Sequence, residues 1–286
     1  MPNKRLEKKI NMADLVKKEE SKTNLAKNLG ISRSSLYYKS ILKEKDKIFK
    51  EEIIQVMTNN KAYGHKRIAY ALGRNKKKVL RVMKKFGLKP QRMRSKKPSK
   101  KDDLNQEPTS IPNLIKDLEI ERINQVWATD FTYLIYFGRF IYLATIIDIF
   151  TRRIVGWEVS VRHDVELVKG ALINALANNP APDIIHSDQG SEYRSNDFLN
   201  LVKSSSIDIS MSKKSSPWEN GYKESFYSEF KLELGHPQCH PNLGELVEAI
   251  SQQIHYYNYE RIHTALRCPP MIFEQKLKVE KTKILN

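Results

Sequence analysis

Residues 126–136 read VWATDFTYLIY, and the runs that follow, FIYLATIIDIF at 140–150 and RRIVGWEVSV at 152–161, share their character. All three are rich in β-branched and aromatic residues, which suit a pleated, half-buried surface; Gly138 and the polar stretch 151–153 punctuate them as hairpin turns. Three antiparallel strands are therefore expected. Further on, VELVKGALINALA at 165–177 has the spacing of an amphipathic helix. DIIHSD at 183–188 is short and nearly continuously apolar, as a parallel strand covered on both faces must be. A helix near 196–205, a strand near 207–212 and a long helix from about Ser216 complete the order expected for residues 113–286, a mixed five-stranded α/β sheet with flanking helices.

Upstream of Pro112 the chain changes character. Its 286 residues carry a net charge of +17, and residues 1–112 hold 31 Lys and Arg against 11 Asp and Glu, so all the excess positive charge lies there. Such a block favours a polyanion partner, and the expected one is double-stranded DNA. In TNLAKNLGISRSSLYYK (23–39), Leu25, Leu29, Ile31 and Leu36 form an apolar seam, Gly30 sits where two short helices need a tight turn, and Ser32 caps the second helix. This is a helix-turn-helix pattern, assigned to a module over 1–42, with Arg33 and Lys39 facing outward toward a groove. A second basic helical module is expected over 43–90. IFKEEIIQVM and HKRIAYAL read as helices, Gly73 breaks the second, and Asn75 caps a third that runs to a Gly87 stop. Val79, Val82, Met83 and Phe86 are its core positions; Lys76, Lys77, Arg81, Lys84 and Lys85 cover the other faces as candidate DNA contacts. Residues 91–112, with little apolar content, read as a flexible basic linker. No run of 18 apolar residues occurs, and the charged start lacks the apolar stretch of a secretory signal. With Cys239 and Cys268 as the only cysteines, a reducing cytoplasm is expected.

Three acidic residues stand out by placement. Asp130 lies mid-strand among residues that want burial, where a carboxylate is costly without a neutralising partner. Asp188 ends the buried strand just before Gln189-Gly190, and ligand sites of open α/β sheets gather at such ends. Glu224 falls in SPWENGYKESFYSEFKLEL, whose start is marked by a Ser216/Glu219 capping box with Pro217 at the first helical position. Asn220, Glu224 and Lys231 then share one helical face. Three hard oxygen ligands suit Mg²⁺ or Mn²⁺ rather than Zn²⁺. Taken alone, three acids among 33 leave an Asx turn or a solvated helix charge equally open.

The stretches WATDFTYL, LATIIDIFTRRIVGW, IIHSDQGSEY, ISMSKKSSPWENGYKESFYSEFKLELG and YYNYERIHTAL resemble bacterial insertion-sequence transposases whose catalytic core belongs to the retroviral-integrase superfamily. LAKNLGISRSSLYYK and KAYGHKRIAYAL extend the likeness upstream. The family separates its second aspartate and its glutamate by 35 residues, as Asp188 and Glu224 are separated here, and Lys231 matches its basic residue seven places later. The resemblance implies a ribonuclease H-like core using two Mg²⁺ ions, which nicks element ends to free a 3′-hydroxyl and transfers it into DNA. Asp130, Asp188 and Glu224 carry over as metal ligands, Lys231 as a DNA-end contact and His186 as a residue behind the ligands, with Asn220 beside it. The family's N-terminal zinc module has no counterpart, since residues 1–112 hold no Cys and only His65. The resemblance also implies at least a dimer on DNA, and some relatives are made as fusions to a small upstream helix-turn-helix protein. A nuclease without strand transfer and a non-enzymatic DNA-binding regulator are the alternatives.

Other residues read as structural. His236, Cys239 and His240 crowd one loop without regular zinc spacing. Trp127, Trp157 and Tyr133 are expected in the core. Tyr256 and Tyr257 are assigned to helix packing, Arg261 and His263 to possible DNA contact, and Asp148 is either structural or catalytic.

Overall fold

The computed structural model describes residues 22–28, 30–37, 41–91, 110–212 and 221–285, and it divides into two compact units, Met1–Glu51 and Glu52–Asn286. In the first unit α1 (Lys22–Asn28) and α2 (Arg33–Tyr37) are joined through Gly30, whose φ of +64° a side chain would disfavour. Ser32 Oγ accepts the Ser35 amide at 3.3 Å, which caps α2. Lys39 lies outside the described residues. The helix α3 (Ile41–Asn59) follows.

The second unit opens with α4 (His65–Ala71) and α5 (Lys76–Phe86). Asn75 Oδ1 accepts the Lys77 amide at 2.8 Å, and Gly87 ends α5 at φ +68°. Val79, Val82 and Met83 are buried, while Lys76, Lys77, Arg81, Lys84 and Lys85 are exposed. Residues 92–109, most of the expected linker, lie outside the described set. The flanking positions are held in place: the Gln91 amide donates to Lys61 O, and Pro112 O accepts the Met211 amide at 3.1 Å.

Five strands form one sheet, β1 (Val126–Tyr136), β2 (Arg139–Asp148), β3 (Ile154–Ser160), β4 (Ile184–Ser187) and β5 (Asp208–Met211), in the order β3-β2-β1-β4-β5. β1–β2–β3 pair antiparallel; β4 pairs parallel with β1 and with β5. This is the mixed sheet of an integrase-type, ribonuclease H-like core. Phe137 and Gly138, both at positive φ, make the two-residue β1–β2 turn. On one face α6 (Val165–Asn178), α7 (Ser191–Arg194) and α8 (Asn196–Ser204) bury Trp127, Ala144, Ile146 and Ile185. α6 lies so close to β3 that a Cβ on Gly156 would stand 2.5 Å from Ala171 O. On the other face α9 (Gly221–Leu234) and α10 (Leu243–Tyr259) pack Phe226, Phe230, Leu246 and Tyr257 over Leu134, Leu143 and Ile147. A final helix, α11 (Pro270–Leu285), follows. The expected Ser216 cap and Asn220 fall within 213–220, outside the described residues.

Candidate active site at the carboxyl ends of β1 and β4

Strand pairing brings the two aspartates together. β1 and β4 run parallel with Val126 opposite Ile184 and Ala128 opposite His186. Asp130 lies in β1 two residues past the last of these pairs, and Asp188 directly follows the end of β4 at Ser187. β4 stops at Ser187 while β1 continues to Tyr136, so the pair sits at the step where the sheet narrows. The Asp188 carboxylate accepts the Gly190 amide at 3.0 Å, and that of Asp130 accepts the Phe131 amide at 3.0 Å. Asp188 forms no ion pair among the described residues.

Two tyrosines enclose the pair. Tyr193, on α7, shares a 3.3 Å hydrogen bond with Thr129. Tyr227, on α9, donates to Asp130 O at 2.7 Å and bonds Thr145 Oγ1 at 2.8 Å. Burial pushes both phenols well above their ordinary range, and the charges of Asp130 and Asp188 push each further. Both carboxylates thus lie within electrostatic reach of the same two hydroxyls. Neither tyrosine is among the residues expected from sequence. Tyr193 lies five places after Asp188 and Tyr227 three after Glu224, so proximity to the expected ligands was the available signal.

Tyr227 also fixes where α9 runs. Its hydroxyl pins the helix to the Asp130 strand, and Glu224 occupies the position one turn earlier. The Glu224 side chain is outside the described set, and among the described residues no group of three potential ligands is assembled. Lys231, one turn beyond Tyr227, places Nζ 4.9 Å from the centroid of the Tyr133 ring, and burial lowers its pKa. Tyr133 is not a core residue as expected: it is 51% exposed, because β1 outruns β4 and leaves it uncovered. Trp127 is fully buried and Trp157 partly so, packed on the α9–α10 side. His186 is buried with Nδ1 2.9 Å from Ser210 Oγ, an oxygen that also accepts the Leu114 amide, so it braces β4 against β5 behind Asp188. Asp148 resolves as structural: fully buried, it accepts the amides of Asn124 and Thr151 at the end of β2.

A second charged cluster lies farther round α9. Glu229 and Glu233 sit about 140° and 180° around the helix from Glu224. Arg261, only 2% exposed, bonds Glu233 through Nε at 2.8 Å and Glu229 through Nη2. Arg67, on α4, adds a bidentate pair to Glu229 at 2.9 and 3.1 Å. Burial opposes ionisation of Glu229, yet Arg67 and Arg261 outweigh it and hold its carboxyl below the ordinary value. Around this cluster the Ile262 amide donates to Tyr63 Oη at 2.7 Å and Tyr256 Oη to Asn60 Oδ1. Residues 60–67 are thus tied to 256–263 and, through Glu229, to α9. Arg261 is consumed by carboxylates rather than turned toward DNA, and buried His263 is held near a pKa of about 4 by burial and by Arg152, Arg261 and Arg67. Tyr257 packs into the core against Phe226, as expected of a helix-packing residue.

Two family models described as "Integrase core domain" match the chain, over residues 121–217 and 205–270. The putative transposase InsK for insertion sequence element IS150 of Escherichia coli (strain K12) is 31% identical over 249 residues, covering 83% of this chain and 87% of its own length. The insertion element IS600 uncharacterized 31 kDa protein of Shigella sonnei is 31% identical over 264 residues, covering 86% and 96%. Among solved structures, a chain of the simian T-cell lymphotropic virus intasome in complex with PP2A regulatory subunit B56 gamma aligns with 77% of this chain and 73% of its own, at 18% identity and a TM-score of 0.49. The Escherichia coli relative, 31% identical and matched along most of both lengths, together with the two core matches over the observed sheet, makes this chain a member of the IS3-like insertion-sequence transposases with an integrase core domain.

Proposed function

We propose that this transposase cuts DNA at the ends of its element and joins the freed 3′-hydroxyl to a target strand, with Asp130, Asp188 and Glu224 as its divalent-cation ligands. The observation that supports the reading is the parallel pairing of β1, which carries Asp130, with β4, which Asp188 directly follows, together with the Tyr227 hydrogen bond that ties the Glu224 helix to the Asp130 strand. The donor set fits the cation. Asp130 and Asp188 are hard carboxylate donors, the kind that Mg²⁺ or Mn²⁺ takes, and two such ions are the proposed occupants. When bound, the ions supply charge stabilisation to the attacking and departing oxygens of an in-line displacement.

The protein's own part is positional. Tyr227, itself bonded to Thr145, holds the Asp130 backbone, and the Phe131 and Gly190 amides hold the Asp130 and Asp188 carboxylates, so both reach the substrate already oriented. In the first step a water oxygen bonds to the scissile phosphorus, the phosphorus–O3′ bond breaks, and the proton balance leaves a 3′-hydroxyl and a 5′-phosphate. In the second that hydroxyl's oxygen bonds to a target phosphorus as the target's own O3′ departs. Lys231 lies on the same helix as Glu224, where it meets a phosphate of the DNA end. The exposed lysines and arginines of α2 and α5 take up the flanking duplex as at least a dimer of this chain holds both ends. Asp188→Asn should abolish cleavage and strand transfer while element-end DNA is still bound. Pre-nicked ends that are bound but never joined by the wild type would point to a nuclease instead. Full activity of Asp188→Asn would sink the carboxylate assignment.

A further inference from the structure

A continuous ladder of aromatic rings leads away from the carboxylates. Tyr193 stands 6.5 Å from Phe131, Phe131 4.4 Å from His163, His163 5.2 Å from Tyr142 and Tyr142 6.4 Å from Phe140, with Phe140 edge-on to Tyr133 at 5.1 Å. Tyr193 is buried at the inner end, and Phe140 is 52% exposed at the outer one. Cross-strand pairing makes the ladder one surface, since Tyr133 is opposite Tyr142 and Ile135 opposite Phe140 on β1 and β2. At its outer end Lys231 Nζ covers the Tyr133 ring. Midway along it Glu192 is paired with His163 at 3.0 Å. Large rings left open to water in this way need an occupant.

We propose that this ladder is a binding site for the unpaired bases of single-stranded DNA at the cleaved end, with Tyr133 and Phe140 as the stacking residues. The proposal rests on the cleavage reading above, which puts the scissile phosphate at Asp130 and Asp188, where the ladder begins. Three observations favour a single strand. Rings beside a cation are the combination that holds single strands without reading sequence. Their centroids, 4.4 to 6.5 Å apart, are spaced more widely than stacked duplex bases, about 3.4 Å per strand. They also fan out at different tilts, which suits splayed bases better than a rigid helix. Lys231 can meet the backbone while Tyr133 offers its other side to a base.

The test uses the full-length protein and two duplexes bearing the element's own terminal repeat, one fully paired and one mismatched over its last base pairs, each with 5-iodouracil near the end. The mismatched end should crosslink to Tyr133, Phe140 or Tyr142. Phe140→Leu and Tyr133→Leu should each weaken binding to the mismatched end by about tenfold. Binding to the paired duplex should be unaltered, and Phe140→Tyr should bind as the wild type does. A cooperative thermal transition lowered by no more than a few degrees in each variant excludes misfolding, and the exposed positions of both rings make that the expected result. Crosslinks elsewhere, or equal affinity loss for both duplexes, would overturn the site. So would variants that lose self-association in sedimentation yet bind DNA normally, because the ladder would then be a contact between copies. None of these readouts requires cleavage: active Asp188→Asn protein would remove the catalytic assignment and leave the ladder standing.

Discussion

Helix α9 borders two pairs of carboxylates, and the protein treats them oppositely. Glu229 and Glu233 are closed off by guanidinium groups from Arg67 and Arg261, so the charge is answered inside the fold. The Asp130 and Asp188 carboxylates accept the backbone amides of Phe131 and Gly190, and their charge adds to burial in raising the Tyr193 and Tyr227 phenols. A carboxylate pair closed by arginine is architecture. The proposed ligands beside the end of β4 offer hard oxygens of the kind a divalent cation takes. The difference separates binding chemistry from structural chemistry on a single helix, where residue type alone would not.

The largest expected effect divides the two clusters by activity. Asp188→Asn should reduce strand cleavage by on the order of 10³-fold or more, the scale seen when a group stabilising developing charge is lost. Its metal-free thermal stability should be equal to or above that of the wild type, because one of two like charges is gone. Adding Mg²⁺ at ten times its Kd should stabilise the wild type by about 1.4 kcal/mol and leave this variant unmoved, as followed by calorimetry. A variant that still gained stability from Mg²⁺ would break the contrast.

Arg261→Leu should do the reverse. Removing the guanidinium strands Glu233 beneath the surface and leaves Glu229 with Arg67 alone, a change that costs about 3–5 kcal/mol in chemical denaturation. Adding Glu233→Gln to that variant should recover part of the loss, since the stranded charge is then removed. No recovery would mean that Arg261 acts by packing over Tyr257 rather than by charge.

His263 sharpens the picture through pH. Its folded pKa of about 4 lies below the ordinary 6.5, so the folded imidazole is neutral where the unfolded one is protonated. Between those values the unfolded state holds more protons, and stability must rise with pH. The group costs about 2–3 kcal/mol below pH 4 and nothing above about 6.5. Urea midpoints at pH 4.5 and 7 should converge in His263→Gln relative to the wild type; an unchanged gap would place the sensitivity elsewhere.

How much of this was legible in the chain depends on how local each signal is. The sheet followed from three β-rich runs and one short apolar strand, because strand character is written in neighbouring residues. The Ser32, Asn75 and Gly87 positions worked for the same reason: a cap involves residues two to four places apart. Asp188 could be placed because a strand end is a local feature. The clamp between 60–67 and 256–263 could not, since Arg67 and Glu229 are 162 residues apart and nothing near either one names the other. Arg261 was accordingly read as a candidate for DNA. Tyr133 was misjudged for a related reason. Strand composition implies burial only where a neighbour covers the strand, and β4 is four residues long against eleven for β1.

The smallest effect concerns Tyr133 and the lysine above it. Lys231 is partly desolvated against an aromatic face, and such a contact contributes about 0.5–1 kcal/mol. Lys231→Met keeps the apolar stem and loses the charge, so stability should fall by no more than that, while affinity for element ends weakens and its salt dependence becomes shallower by about one phosphate contact. Tyr133→Leu should cost similar stability with no change in salt slope, because it removes the ring and keeps the ammonium. If the two substitutions altered the slope equally, Lys231 would be serving the ring rather than a phosphate. It would then belong, like Arg261, to the part of α9 that the protein has closed.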